Sequence, residues 1–336
     1  MKKISLALSL ILSFLLVFSA CGTPTAEETT ANDVTAEETT LAEKAEINIG
    51  LLKGPTGMGA AVLLENDELG TAKADYNLTL AGAPDVLQAS LINGELDIAA
   101  LPTNVAAVLN AKTGGKVQIL AVNTLGVIYI MSKDENVKAL SDLKGKTVLS
   151  AGKGTTTEYV LNYILSENEL SDVNVEYASE HAEVITKAVA GDYDTVLLPE
   201  PFVTQMKGQN AGFNVVIDLT KEWKALGETE LTMGCIAIRK EFAEANPEAV
   251  KAFLEDYKAS VEAVNIDPEA AGVIIEKFDI AKAAVASKAI PNCNIVVLTG
   301  DEMKANVNNY LTVLHSSNPQ AVGGNVPDAS FYCSVQ

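Results

Sequence analysis

Apolar residues fall into three regimes along the chain. After Lys2 and Lys3, Ile4 to Phe18 run without a charge. Residues 23–46 are mostly Thr, Ala and Glu, with almost no large apolar side chain. From Ile47 onward, short alternating stretches and amphipathic stretches take turns. Ile47-Asn48-Ile49-Gly50-Leu51 is apolar at every second position and predicts a strand. A glycine-rich turn, Gly54-Pro55-Thr56-Gly57-Met58-Gly59, follows. A helix through Leu64 to Leu69 and a strand at Tyr76 to Leu80 come next. A second helix carries Val86, Leu87, Ser90 and Leu91 on one face and stops at Asn93-Gly94. The strand Asp97 to Leu101 then runs into Pro102-Thr103-Asn104 and another helix.

The same parts recur about one hundred residues later. Lys146 to Ser150 predicts a strand entering Gly152-Lys153-Gly154-Thr155-Thr156-Thr157. A helix with Tyr159, Val160, Tyr163 and Ile164 on one face follows. Val173 to Tyr177 matches Tyr76 to Leu80, and Gly191-Asp192-Tyr193-Asp194 matches Gly94-Glu95-Leu96-Asp97. Leu198-Pro199-Glu200-Pro201 matches Leu101-Pro102-Thr103-Asn104. Shared punctuation at a nearly constant offset marks an internal repeat. Strand–helix–strand–helix–strand in each copy predicts an α/β protein of two lobes, each a mostly parallel sheet covered by helices. Residues 47–127 plus 234–336 are expected to form lobe 1 and 128–233 lobe 2, joined by a hinge of crossing strands. Asn246-Pro247 and Asp267-Pro268 predict helix starts in a tail that packs back on lobe 1.

The two polar extremes of the N-terminal region point outside the cytoplasm. A positive start, an uncharged apolar run and the small-residue exit Ser19-Ala20-Cys21-Gly22 have the layout of an export signal over residues 1–20. The run is shorter than the roughly 20 residues a membrane span needs. Phe18-Ser19-Ala20-Cys21 resembles the bacterial lipobox, which implies cleavage before Cys21 and lipidation of its sulfur. Acyl chains on one residue would anchor the protein to the membrane. Residues 21–46, with seven acids, are then expected to be a disordered tether. The formal net charge of −20, with Arg239 as the sole arginine, argues against nucleic acid as a partner. Cys235, Cys293 and Cys333 remain beside Cys21. Cys235 sits in an apolar run and reads as a core thiol, whereas pairing of Cys293 with Cys333 is left open.

Each glycine-rich loop follows a strand and opens a helix, where backbone N–H groups are unpaired and a ligand can approach. In open parallel sheets ligands bind beyond the carboxyl ends of the strands. The candidate ligand contacts on this reading are Thr56 in the first copy, Thr155, Thr156 and Thr157 in the second, and Asn104 and Glu200 in the paired Leu-Pro loops. Glu200 replaces the neutral Thr103 of the first copy and would select a cationic or N–H-bearing group. Lys53 and Lys153 flank the loops. Catalysis has little to work with. His181 and His315 stand in unrelated contexts, with no ligand-spaced Cys or carboxylates. His181 reads as a surface residue at a helix start. No Gly-x-Ser-x-Gly elbow, dinucleotide fingerprint or phosphate-binding P-loop is present. No catalytic residue, metal or cofactor is expected.

The strand–Gly-loop–helix units, Gly94-x-x-Asp97, the run Leu140-Ser-Asp-Leu-Lys-Gly-Lys146, Gly191-x-x-Asp194 and Leu198-Pro-Glu-Pro201 together resemble the nitrate/sulfonate/taurine-type solute-binding proteins of ABC importers. That group includes binders of thiamine precursors and flavins. The resemblance spans about residues 45–320. It implies a type II periplasmic-binding fold, a small ligand held between the lobes, and delivery to an ABC permease and ATPase by a monomer. Carried over residue by residue, the resemblance adds Gly57, Met58, Gly59 and Thr103 to the expected ligand contacts. A zwitterion or nitrogen heterocycle suits Glu200 better than a simple anion. A lipoprotein that senses its ligand for a membrane receptor is the rival reading. An enzyme acting on a pyrimidine precursor is more distant, since the cysteine-rich iron motif of those enzymes is missing.

Overall fold

The computed structural model describes residues 44–209, 212–227 and 230–334. The expected export signal, Cys21 and the tether up to residue 43 lie outside the described residues. The apolar alternation at Ile47 becomes strand β1 (Glu46–Leu52), with Ile47, Ile49 and Leu51 fully buried. The chain continues through α1 (Pro55–Met58), α2 (Ala61–Glu68), β2 (Asp75–Ala81), α3 (Pro84–Asn93), β3 (Ile98–Pro102), α4 (Thr103–Thr113) and β4 (Val117–Thr124). It then passes to a second sheet through β5 (Ile128–Ser132), β6 (Thr147–Ser150), α5 (Thr156–Glu167), β7 (Asn174–Tyr177), α6 (His181–Ala190), β8 (Thr195–Pro199), α7 (Phe202–Gln209), β9 (Asn214–Asp218) and α8 (Leu219–Ala225). It returns through β10 (Gly234–Arg239), α9 (Lys240–Ala245), α10 (Pro247–Ile266), α11 (Pro268–Lys277), α12 (Ala283–Ala289), β11 (Ile295–Leu298) and α13 (Gly300–Ser317).

The two sheets have matching orders. One runs β11-β4-β10-β3-β1-β2 and the other β7-β6-β8-β5-β9. Strands β1, β2 and β3 pair in parallel, as do β6, β7 and β8. In each sheet one antiparallel strand separates the third strand from the fourth, β10 in the first and β5 in the second. The sheets are therefore mixed, and the reason is the crossover. Strands β5 and β10 are the first ones laid down after each passage between lobes, so each enters its sheet against the local direction. The repeat is visible in the caps as well. Gly94 and Gly191 end α3 and α6 at φ 81° and 93°, the left-handed region that a glycine enters without a Cβ clash.

The tail packs mainly on the first sheet, with α10 against α2 and α13 against β4. Asp267 caps α11 by accepting from the Ala270 N–H at 3.0 Å, as the Asp-Pro signal predicts. Asn246 instead turns its amide onto the Phe242 carbonyl, so α10 starts without that cap. Helix α13 does more than cover lobe 1, because it also meets α5 of the second lobe. Tyr310 on α13 packs against Trp223 of α8, and Trp223 against Tyr163 of α5. One apolar cluster thus runs from Leu101 and Val105 through Tyr310 and Trp223 to Val160 and Ile164, across both lobes. Cys235, Cys293 and Cys333 are free thiols, the first two buried.

Candidate functional site

The carboxyl ends of β1, β3, β6 and β8 face one another across the lobe boundary. Between them lies an inner cavity of about 130 Å³. Lobe 1 contributes Leu52, Pro55, Thr56, Pro102 and Thr124, and lobe 2 contributes Gly152, Thr155, Thr156, Thr157, Pro199 and Phe202. Val127 and Met233, on the two crossing segments, close its floor. An outer chamber of about 530 Å³ adjoins it, sharing Lys53, Gly82, Glu180, His181 and Phe202.

The loop before α5 is folded by its own side chains. Thr155 donates from Oγ1 to the Gly152 carbonyl at 2.6 Å, and Glu158 accepts from the Gly154 N–H at 2.6 Å. Thr156 is 2% exposed. Its hydroxyl receives the Tyr310 O–H at 2.9 Å and lies 3.2 Å from the Asn104 Oδ1 it donates to. Asn104, fully buried, donates from Nδ2 to the Gly154 and Ala321 carbonyls, both at 3.2 Å. One amide therefore ties α4 of lobe 1, the α5 loop of lobe 2 and the C-terminal tail. The first-copy loop is held from below. Asn123 donates to the Thr56 carbonyl at 3.1 Å, and Ser260 donates to the Gly59 carbonyl at 2.7 Å while accepting the Leu63 N–H at 2.9 Å.

Of the ten residues expected from the sequence to contact a ligand, Thr56, Thr155, Thr156 and Thr157 line the inner cavity. The other six do not line it. Gly57 and Met58 of α1 and its C-cap Gly59 are buried. A Cβ on Gly57 would sit 2.2 Å from the Leu52 carbonyl oxygen, so the glycine serves close backbone packing and not ligand approach. Thr103 and Asn104 are buried behind Pro102, with the Thr103 N–H donating to the Met233 carbonyl at 3.0 Å. Glu200 turns onto the next helix. Its two carboxylate oxygens accept the Thr204 N–H and Oγ1–H, each at 3.1 Å, at the start of α7. Burial pushes its carboxyl above the usual range, partly offset by the Thr204 bonds. The peptide bond between Glu200 and Pro201 is cis. Of the flanking lysines, Lys53 borders the cavity and bonds Asp279 at 2.8 Å, whereas Lys153 is absent from its lining.

Sequence reading missed a third pair of loops, those after β2 and β7. Gly82-Ala83-Pro84 and Ser179-Glu180-His181 face each other across the mouth, and all six residues line the inner cavity. The repeat held the signal. These loops also end parallel strands, but lack the glycine-rich wording of the others. His181 corrects the surface reading. Its ring packs on Phe202 with centroids 5.0 Å apart, and its Nδ1 is shielded with no hydrogen-bond partner among the described residues. Burial pushes the imidazole down to about 4, so it is neutral near pH 7. Among the described residues no group of three or more His, Cys, Asp or Glu is placed to hold a metal, and no helix is long and apolar enough to cross a membrane.

A family model described as menaquinone biosynthesis matches residues 63–311. The chain belongs to this family. Its structural neighbours carry the same two-lobed frame. An ABC transporter structure from Parabacteroides distasonis aligns at 26% identity and a TM-score of 0.72, covering 87% of this chain and 100% of the other. The periplasmic aliphatic sulphonate binding protein of Escherichia coli aligns at 18% identity and TM-score 0.68, over 85% and 95% of the two chains. The periplasmic nitrate-binding protein of Synechocystis aligns at 15% and 0.62, over 83% and 84%. These last two speak for the fold alone. A binding protein of Brucella abortus is 25% identical over 206 residues, 59% of this chain and 62% of the relative's length. The two-lobed type II periplasmic-binding fold read from the sequence thus holds for this member of the family.

Proposed function

We propose that the protein is an extracytoplasmic, lipid-anchored solute-binding protein that captures one small organic molecule between its lobes and delivers it to an ABC permease and ATPase. The observation that carries this reading is the inner cavity itself, walled by repeat-related loops of both lobes. A ligand there touches both lobes at once, and so favours their closed arrangement by contacts available only in it. The cavity's lining of threonines, an imidazole and apolar walls suits a nitrogen heterocycle or zwitterion better than a bare anion. Lipidation at Cys21 would hold the monomer near its transporter.

The test is native mass spectrometry of freshly purified protein, followed by melting curves with the compound identified. A true ligand at a hundredfold excess over Kd adds about 2.7 kcal/mol of stability. A retained compound that leaves the melting temperature unmoved would sink the proposal. The family's description favours one competitor, a biosynthetic enzyme on the same frame. Conversion of the retained compound by the purified protein would decide for it.

A further inference from the structure

The two compartments of the inter-lobe site differ in size and in charge. The inner one, about 130 Å³, is close to the roughly 150 Å³ cavity known to hold one benzene. It is sized for a single six-membered ring, and a fused pair would have to extend into the adjoining chamber. Its faces are apolar at Leu52, Val127, Phe202 and Met233, and hydroxyls of Thr56 and Thr157 reach its edges. No unpaired cation borders it among the described residues, since Lys53 is matched by Asp279 at 2.8 Å.

The outer chamber holds more charge, and most of it cancels. Lys282 meets Glu276 at 3.1 Å, as Lys53 meets Asp279. Two charges of opposite sign, Glu180 and Lys288, line the chamber with no ion pair among the described residues, and of the two only Glu180 borders both compartments. It is the N-cap residue of α6, yet its side chain makes no capping bond. Its Oε2 lies 3.2 Å from where a Cβ on Gly82 of the opposite lobe would be. An exposed carboxylate at the junction, free of structural duty, is placed to meet the cationic end of a molecule whose neutral end lies inside.

Building on the solute-binding reading above, we propose that the site takes a compound with one uncharged aromatic or heteroaromatic ring and a protonated amine a bond or two away. The ring occupies the inner compartment against Phe202, and the ammonium pairs with Glu180. This assigns to Glu180 the cation-selecting role that the sequence pattern suggested for Glu200. The neutral imidazole of His181 beside it adds no competing positive charge near pH 7.

The experiment compares benzylamine, 1-naphthylmethylamine, benzoate, benzenesulfonate and nitrate by melting curves and calorimetry near pH 7. The expected result is binding of benzylamine above all the others. Glu180→Gln should weaken that binding by at least about fivefold, the worth of one partly solvated ion pair. Its ligand-free melting point should hold, because the side chain bonds to nothing. Equal benzylamine affinity in the variant would overturn the role of Glu180, and equal affinity for the naphthyl amine would overturn the one-ring limit. Binding of the sulfonate or nitrate without the amine would overturn the ligand class while leaving solute binding intact. If no probe binds and native mass spectrometry finds no retained molecule, both readings fall together.

Discussion

Replacing Asn104 by leucine tests whether this residue joins the lobes or reads the ligand. The side chains are close in shape, so packing changes little. Three hydrogen bonds go: those from Nδ2 to the Gly154 and Ala321 carbonyls and that from Thr156 to Oδ1. Thr156 keeps the Met233 carbonyl at 3.4 Å as an alternative acceptor. The two carbonyls lose the Asn104 amide as a partner in a fully buried place. At about 1 kcal/mol net per bond, and more where a buried group is orphaned, the cost is about 3 kcal/mol. Each kcal/mol shifts the melting point of a domain this large by about 2–4 °C, which predicts a drop of about 6–12 °C. Differential scanning calorimetry without ligand measures it. Calorimetric titration with the identified ligand should show Kd within about twofold of wild type once both are folded. An unmoved melting point with lost affinity would refute the argument and return Asn104 to the ligand.

Four further outcomes follow from the geometry. His181 is depressed to about 4 from an ordinary 6.5, so the unfolded chain binds the extra proton between those values. Its contribution is complete above about pH 6.5 and is lost as pH falls through 4, roughly 2–3 kcal/mol in all. Wild type should therefore lose more melting temperature between pH 7.5 and 4.5 than His181→Gln, and parallel curves would contradict this. Glu200→Gln should leave ligand affinity within about twofold, because both oxygens serve Thr204; a tenfold loss would contradict the placement. Gly57→Ala should destabilise by about 2 kcal/mol or more, measured by urea unfolding, as its Cβ meets the Leu52 carbonyl at 2.2 Å. Spin labels at Gln209 and Lys288, on α7 and α12, should approach on ligand binding, whereas labels at Asn162 and Asn308, on α5 and α13, should hold their distance.

Fold was legible where the sequence wrote it in backbone terms. Alternation at Ile47–Leu51, the helix stops at Gly94 and Gly191 and the Asp-Pro start at α11 each impose a local conformation, so each could be read without neighbours. The crossings at β5 and β10 were legible as well, but the place of those strands in the sheets was not. The apolar run Leu231 to Ile238 shows that β10 is buried, yet its place between β3 and β4 depends on partners more than a hundred residues away. The site was legible in part for the same reason. Thr155 to Thr157 follow from a glycine loop that opens a helix. Asn104 and Glu200 stand in loops at strand ends, which usually face ligands, yet a side chain there can also turn inward. Asn104 found two carbonyls and Glu200 found Thr204. Nothing in the residue types of Ser179-Glu180-His181 distinguishes a cavity wall from a surface loop. Only the position after a parallel strand does so.

The shared core sets where the lobes can separate. On one side, Tyr310, Trp223 and Tyr163 pack in sequence across the boundary with their rings tilted, and Asn104 and Thr156 bond through it. Parting the lobes there would expose buried aromatic surface and orphan buried polar groups, two of the costliest events available to a folded chain. On the other side, α7 meets α12 beside the larger chamber, and Glu180 faces Gly82 without bonding to it. Little is lost when that edge opens. On the solute-binding proposal, the lobes would pivot about the α5–α13 side and part at the α7–α12 side. A solute entering by that edge meets the charged outer chamber first and the ring-sized compartment last. On that proposal, charge selection at Glu180 would precede the fit against Phe202, and the lobes would close behind a molecule that has satisfied both.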